Sequence, residues 1–160
     1  MPEIVNLRDR PEYLEKLAHW HQQEWSHLNP GESLAQRILR MQNYLSDHLI
    51  PSMFIALDGE KLLGSAAIVQ HDMDSHTELS PWLASVFVDP ECRRQGIGTA
   101  LVKHALQQAD KEDVEQLFLF TPDQAHFYHQ LGWIEYSREE YHGEQVTLMT
   151  RVFRQTSSRE

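Results

Sequence analysis

Residues 82–99 read WLASVFVDPECRRQGIGT, and they divide into an apolar run, a turn and a glycine-containing segment. The apolar run Trp82 to Val88 is typical of a buried β-strand, and Asp89-Pro90 marks its end. The periodicity that follows predicts a helix over 97–109. This stretch therefore predicts a strand that leads through a short turn into the N-terminus of a helix.

The junction between this strand and this helix is suited to hold an anion. The free N–H groups at a helix N-terminus attract phosphate groups. Gly96 and Gly98 would let a phosphate approach the main chain, while Arg93 and Arg94 add positive charge in an acidic protein. A pyrophosphate is the predicted ligand. The alternative is that the glycines only shape a tight connection and the arginines are solvated.

Two common nucleotide-binding motifs do not match this junction. No Gly-Lys-Ser/Thr sequence follows the glycines, as it would in a P-loop. Leu101 stands where a dinucleotide-binding fingerprint has its third glycine. Nucleotide hydrolysis and hydride transfer are therefore disfavoured.

Sequence patterns on both sides of the junction predict an α/β (α+β) fold. A strand over 3–8 precedes two amphipathic helices, the first from Pro11 and the second capped by Ser33. Further on, the patterns predict strands over 54–57, 62–69, 114–120, 133–141 and 144–153, and a short helix over 124–131. The predicted order is βααβββαβαββ, a mixed sheet flanked by helices. One domain is expected over 1–154, with a frayed tail over 155–160.

Composition narrows the class of protein. The 160 residues carry a formal net charge of -10, and no run of Lys and Arg is present, which disfavours nucleic acid and favours an amine or cationic partner. Cys92 is the single cysteine and cannot form an intrachain disulfide, so a cytoplasmic location is expected. No apolar stretch approaches the about 20 residues that span a bilayer, so no membrane partner is expected.

Two motifs in this chain resemble those of one enzyme family. Arg93, Gly96 and Gly98 match the signature R/Q-x-x-G-x-G/A, and residues 121–133 are similar to the segment F-Y-x-x-L-G-F/W. The chain therefore resembles the GNAT superfamily of acyl-CoA-dependent N-acetyltransferases. The resemblance implies a mixed, mostly antiparallel central sheet flanked by helices. It also implies acetyl-CoA as the acyl donor and no metal.

The resemblance further implies which residues bind the acyl donor. In the family, the strand before the signature pairs with the pantetheine arm, which assigns Val86, Phe87 and Val88 to this contact. The loop that follows holds the CoA pyrophosphate, and its residues here are Arg93, Arg94, Gln95, Gly96, Ile97, Gly98 and Thr99.

Acetyl transfer to an amine also needs acid and base chemistry. A neutral nucleophile, stabilisation of the oxyanion and protonation of the departing thiolate are required. Tyr128 falls where many family members carry the general acid; the alternative is a packed aromatic whose hydroxyl bonds a carbonyl. Glu78 is the predicted general base, and its alternative role is that of a solvated loop acid.

Acidic residues gather in segments that rim the acceptor site of the family. They are Asp72, Asp74, Glu78, Glu135, Glu139, Glu140 and Glu144. Such a rim fits the primary amine of a small cationic molecule or a peptide, such as a polyamine, an aminoglycoside-like amine or an N-terminal amine. Alternatively, the acidity serves solubility. A non-catalytic acyl-CoA-binding sensor or interaction module stays open as another function, and a homodimer is a further expectation.

The ten histidines do not form a convincing metal site. His19 and His21 are two apart on a predicted helix, so they would point to different faces, and both are predicted to lie at the surface. His126 and His129 could meet on the short helix, but no third ligand is evident. Cys92 lies beside two arginines that could activate it, yet direct transfer needs no covalent enzyme intermediate.

Overall fold

The computed structural model describes residues 2–153, and its elements follow the predicted order βααβββαβαββ. The strands are β1 Glu3–Asn6, β2 Ser52–Asp58, β3 Lys61–Val69, β4 Trp82–Val88, β5 Gln116–Thr121, β6 Ile134–Tyr141 and β7 Glu144–Val152. The helices are α1 Leu14–Trp25, α2 Leu34–Met41, α3 Ile97–Lys111 and α4 Ala125–Gln130. The predicted tail, 155–160, lies outside the described residues.

Side-chain hydrogen bonds set the ends of two elements. The first strand was predicted over 3–8 but ends at Asn6, because the Asn6 side chain accepts a hydrogen bond from the Arg8 N–H at 2.9 Å and starts a 3-10 turn. At α2, the Ser33 Oγ accepts from the Gln36 N–H at 3.1 Å, and the Gln36 Oε1 accepts from the Ser33 N–H at 2.8 Å. This reciprocal capping box satisfies two free donors and confirms the predicted cap.

Helices cover both faces of the sheet, which explains the continuous apolar runs of its central strands. In β2, Phe54 and Ala56 pack with side chains of α3, whereas Ile55 and Leu57 pack with side chains of α1 and α2. Successive side chains of a strand point to opposite faces, so both sets must be apolar. Among the helices of residues 2–153, none is long and apolar enough to cross a bilayer.

The sheet contains seven strands in the order β1-β2-β3-β4-β5-β7-β6, and its neighbours are antiparallel except β4 and β5. Within residues 2–153, the parallel ladder between β4 and β5 consists of one pair, Trp82 with Phe118. The Phe118 N–H also donates to the Pro81 carbonyl at 3.0 Å. Beyond this point β4 and β5 separate, and the sheet splits toward their C-terminal ends.

A bulge in β4 lies next to this split. The pairing register between β3 and β4 shifts between Ser65 and Ala67, so two residues of β4 stand opposite one residue of β3. Ser85 has a φ of 55°, in the left-handed region that non-glycine residues adopt rarely. The Ser65 hydroxyl donates to the Ser85 carbonyl at 2.8 Å, which gives this displaced group a partner. The bulge therefore changes the direction of the β4 backbone where β4 and β5 separate.

Candidate functional site

The split between β4 and β5 opens into a cavity of about 890 Å³. On one face of the sheet, the cavity is lined by the first turn of α3 and by α4. On the other face it is lined by residues from the end of α1, from α2 and from the segment after β3. We call these the α3 side and the α2 side. The cavity thus connects the two faces of the sheet through the split.

The α3 side contains the N-terminus of α3, with Gly96 as its capping residue. Gly96 has a φ of 80°, and no side chain caps the helix. The first intrahelical hydrogen bond runs from the Ala100 N–H to the Gly96 carbonyl at 3.0 Å. The amides of residues 97–99 therefore have no acceptor within the helix, and they favour a bound anion.

Close packing sets the position of this first turn. A Cβ added at Gly98 would lie 3.6 Å from both Phe127 and Val88, so the backbone of Gly98 already approaches α4 and β4. Arg93 is exposed, and its Nε donates to the Val88 carbonyl at 3.0 Å. Its guanidinium lies 5.7 Å from the centre of the Phe87 ring. These contacts hold one of the two loop arginines beside the end of β4.

The structure brings most, but not all, of the sequence-predicted donor residues to the cavity wall. Those that line the cavity are Val86, Phe87, Val88, Arg93, Arg94, Ile97, Gly98 and Thr99. Gln95 and Gly96 are exposed and do not line it. Past Trp82, β4 pairs only with β3 within the described residues, so the other edge of β4 presents backbone N–H and C=O groups to the cavity.

Tyr128 is held on α4 at the cavity wall. Its side chain is buried between aromatic rings, with ring centroids 5.0 Å from Phe127 and 6.1 Å from Trp133. The Tyr128 carbonyl accepts from the Trp133 N–H at 3.1 Å, which ties the helix to the following turn. Burial, and secondarily the charge of Asp123, raise the pKa of the Tyr128 hydroxyl. The hydroxyl therefore stays protonated and can donate a hydrogen bond into the cavity.

Glu78 lies away from the cavity. Its side chain is 66% exposed, and its Oε2 is 3.0 Å from His76 Nδ1. The hydrogen bond to His76 lowers the pKa of Glu78, while the other ring nitrogen of His76 lies 2.7 Å from Glu139. Glu78 thus belongs to a surface network that joins the segment after β3 to β6.

Asp72 is the carboxylate from the same segment that does line the cavity. Asp72 is exposed, yet nearby protein atoms desolvate its carboxyl, which raises the pKa of Asp72 to about 7 against the opposing charge of Arg40. Burial also raises the pKa of the neighbouring Tyr44 hydroxyl to about 12. Of the predicted acidic rim, Asp72 and Glu144 line the cavity, whereas Asp74, Glu135, Glu139 and Glu140 do not.

The prediction for His21 was wrong. His19 is exposed, as predicted, but His21 is 1% exposed and lies against Trp25 and Phe87. Its Nε2 is 2.9 Å from the Ser65 Oγ. Because the Ser65 proton is donated to the Ser85 carbonyl, His21 Nε2 must be the donor in this pair. Burial, followed by the charges of Arg37 and Arg40, lowers the pKa of His21 to about 3.

Sequence reasoning also missed Arg37 and Arg40, which line the α2 side of the cavity. A signal for Arg37 was present: it stands three residues after Leu34 and four before Met41, within the stripe of apolar residues on this helix. Within residues 2–153, no group of three or more His, Cys, Asp or Glu side chains could hold a metal ion.

Three known proteins are similar to this chain in sequence or in structure. The N-alpha-acetyltransferase 30 of Schizosaccharomyces pombe (strain 972 / ATCC 24843) is 30% identical over 89 residues, which cover 53% of this chain and 59% of the relative. An aminoglycoside 6'-N-acetyltransferase complexed with coenzyme A has a TM-score of 0.74 and 15% identity, covering 98% of this chain and 99% of the other. The ribosomal-protein-S18-alanine N-acetyltransferase from Escherichia coli has a TM-score of 0.69 and 18% identity, covering 100% and 99%.

The two solved structures share the fold of this chain, with the mostly antiparallel seven-stranded sheet and its flanking helices. The curated relative is matched over about three fifths of its length. The model of the acetyltransferase (GNAT) family matches residues 14–133, which is most of the chain and includes α1 to α4 and the split between β4 and β5. This protein therefore belongs to the GNAT family of acetyltransferases.

Proposed function

We propose that the protein is an N-acetyltransferase that moves an acetyl group from acetyl-CoA directly to a primary amine of a small cationic molecule or a peptide. The observation that carries this proposal is the cavity that joins a free helix N-terminus, an open strand edge and Tyr128. The aminoglycoside acetyltransferase with coenzyme A and the S18-alanine acetyltransferase, which share this fold, support it.

The α3 side supplies groups that fit acetyl-CoA. The amides of residues 97–99 and the guanidinium groups of Arg93 and Arg94 suit the pyrophosphate, with Gln95 and Gly96 forming the exposed turn before the helix. The free edge of β4 over Val86 to Val88 suits the amide groups of the pantetheine arm. The thioester would then lie in the split, near α4.

Tyr128 is proposed as the general acid. When the amine attacks the thioester carbonyl, the carbon–sulfur bond breaks and the electron pair leaves with sulfur. The Tyr128 hydroxyl would donate a hydrogen bond or a proton to this thiolate. Since burial raises the pKa of Tyr128, the hydroxyl carries its proton when the sulfur leaves.

Asp72, rather than Glu78, is proposed to accept the proton of the amine. Glu78 does not line the cavity, and its carboxylate bonds to His76, so it has no direct path to an acceptor in the split. Asp72 lines the α2 side, and its pKa of about 7 makes it a competent base near neutral pH.

We expect Asp72→Asn to lower kcat/KM about 100-fold at neutral pH, because general-base catalysis contributes roughly that factor. The base acts as the carboxylate, so wild-type kcat/KM should show a step as pH increases through about 7, the pKa of Asp72, in addition to the rise caused by deprotonation of the free amine. The variant should lose this step and keep only the rise caused by deprotonation of the free amine. Glu78→Gln is the control and should behave as wild type; a larger loss in this control would return the base role to Glu78.

The proposed activity is tested by isothermal titration with acetyl-CoA, followed by a thiol-release screen against polyamines, aminoglycosides, amino acids and peptides. Micromolar binding with release of CoA in the presence of one amine class would establish the enzyme. Binding without release across all classes would favour a non-catalytic acyl-CoA sensor, and no binding would overturn the proposal.

The predicted homodimer stays a prediction. The edge strand β6 carries two large apolar side chains that are well exposed, Ile134 at 57% and Tyr136 at 50%. Such side chains on an edge strand would suit pairing with a second copy. Sedimentation velocity on the purified chain measures this directly.

A further inference from the structure

The α2 side of the cavity contains a positive charge that is poorly neutralised. Arg37 stands within the apolar stripe of α2, and its side chain is 6% exposed. It nevertheless lines the cavity. Arginine is almost never buried this far unless it is paired, because burial of an unpaired charge is costly. The hydrogen bonds and ion pairs of this guanidinium therefore indicate which chemical groups the cavity can bind.

The hydrogen bonds of Arg37 are incomplete. Its Nε donates to the Gln22 Oε1 at 2.7 Å, and this amide is neutral. Among the described residues, its Nη2 is buried and has no hydrogen-bond partner. A carboxylate oxygen of Glu32 lies 3.6 Å from Nη2, beyond hydrogen-bond distance. Among the described residues only the Nε of this guanidinium donates a hydrogen bond, and because Arg37 lines the cavity, a ligand carboxylate could pair with the group from the cavity side.

The carboxylate of Glu32 is already engaged by a second arginine. Arg40 Nε donates to Glu32 Oε2 at 2.7 Å, and Arg40 Nη2 donates to Glu32 Oε1 at 2.9 Å. Two guanidinium groups therefore share one carboxylate, which leaves an excess positive charge. Burial and then the charge of Arg40 lower the pKa of Arg37, and the charge of Glu32 opposes this effect only in part. An anion that pairs with Arg37 would reduce the repulsion between the two guanidinium groups.

Acidic residues of the cavity do not compensate Arg37. Within residues 2–153, none of the four that line the cavity forms an ion pair with it; they are Glu24, Asp72, Asp123 and Glu144. Glu144 is instead 3.4 Å from His27. Asp72 is influenced by Arg40, yet no ion pair joins the two within the described chain. The α2 side thus presents both the carboxylate of Asp72 and the incompletely paired guanidinium of Arg37.

We propose that Arg37, supported by Arg40, forms a subsite for a carboxylate carried by the acetyl acceptor. The inference rests on the proposed acetyltransferase function, and it replaces the small cationic acceptor with one that carries both an amine and a carboxylate. The amine would lie toward Asp72 while a carboxylate of the same molecule pairs with Arg37. The acceptor is then an amino acid or the acidic N-terminal residue of a peptide, rather than a polyamine or an aminoglycoside.

Matched acceptors test this on the wild-type protein. One pair is a free amino acid and its amide; the other is a peptide that begins with glutamate and the same peptide with glutamine. The carboxylate member of at least one pair should have a kcat/KM about 10- to 100-fold higher, the range expected for a charged hydrogen bond. The first pair reports a free amino acid as the source of the carboxylate, and the second reports a peptide.

Arg37→Gln then tests the residue. We expect this variant to abolish the preference by raising KM for the carboxylate acceptor, while the affinity for acetyl-CoA and the kcat with the neutral partner are retained. Arg37→Lys, which keeps the charge but loses the planar fork, should retain part of the preference. Arg138→Gln is the matched control, because Arg138 is 74% exposed and pairs only with Glu135 among the described residues. An equal loss for all acceptors in Arg37→Gln would show a structural role instead.

The outcomes separate this inference from the proposed function. If both members of each pair react equally well, or polyamines react better, the carboxylate subsite is overturned while the acetyltransferase function stands. Failure to bind acetyl-CoA would overturn the function and this inference with it. The wild-type comparison decides the question even if Arg37→Gln does not fold.

Discussion

Tyr128→Phe is expected to lower kcat by about 100- to 1,000-fold, because loss of a general acid commonly has an effect of this size. The aromatic ring keeps its contacts with Phe127 and Trp133, so the fold of α4 should be unchanged. The affinity for acetyl-CoA should therefore stay at the wild-type value. Steady-state thiol release gives kcat, and isothermal titration on the same sample gives the dissociation constant.

The control for this variant is Tyr136→Phe. Tyr136 is 50% exposed on β6 and does not line the cavity, so removal of its hydroxyl should leave turnover unchanged. Because the pKa of Tyr128 is raised above its ordinary value of 10, its ionisation should not reduce wild-type activity at pH values of about 9. Unchanged kcat in Tyr128→Phe would remove this residue from the chemistry.

Gly96→Glu is expected to weaken acetyl-CoA binding more than Gly96→Gln does. The φ of 80° disfavours either side chain, at about 1 to 2 kcal/mol each. No atom lies within 4 Å of a Cβ added here, so neither side chain is blocked. Only the glutamate places a negative charge beside the bound pyrophosphate, which should cost about 2 kcal/mol more, or roughly 30-fold in affinity.

Salt provides a second measurement of the same effect. Added salt screens the repulsion between the pyrophosphate and the carboxylate that Gly96→Glu introduces, but it does not relieve backbone strain. The difference between the two variants should therefore shrink as ionic strength increases, whereas the loss in Gly96→Gln persists. Equal affinities for the two variants at low salt would place the pyrophosphate away from the N-terminus of α3.

Much of the fold was predictable because its determinants are local. The double-sided burial of β2 requires a continuous apolar run, and the capping box of Ser33 and Gln36 is visible within four consecutive residues. The end of the first strand was missed because the Asn6 cap competes with an apolar pattern that continues through Leu7. Such a cap depends on one hydrogen bond between a side chain and the backbone, and the hydrophobic periodicity of the sequence does not reveal it.

The residues on the α3 side of the cavity could be predicted from the sequence, whereas those on the α2 side could not. The loop from Arg93 to Thr99 and the segment around Tyr128 are contiguous, so motif spacing predicted them as a unit. On the α2 side, Arg37 and Asp72 come from separate segments and line one cavity only in the folded chain. Glu78 was predicted as the base because it lies near the start of the strand that leads to the donor-binding loop. Asp72 lies in the same acidic loop, and periodicity does not show which side chain of a loop faces a cavity.

From its residues alone, this chain specified the order of its elements and the glycine-rich helix N-terminus, because hydrophobic period, turn chemistry and caps act over a few neighbouring residues. Folding in three dimensions decided which charged groups face the cavity. His21 was buried under Ser65, Glu78 was turned to the surface, and Arg37 was left without a full partner. These outcomes depend on contacts between residues far apart in the chain, and burial at such contacts determines which charges are neutralised.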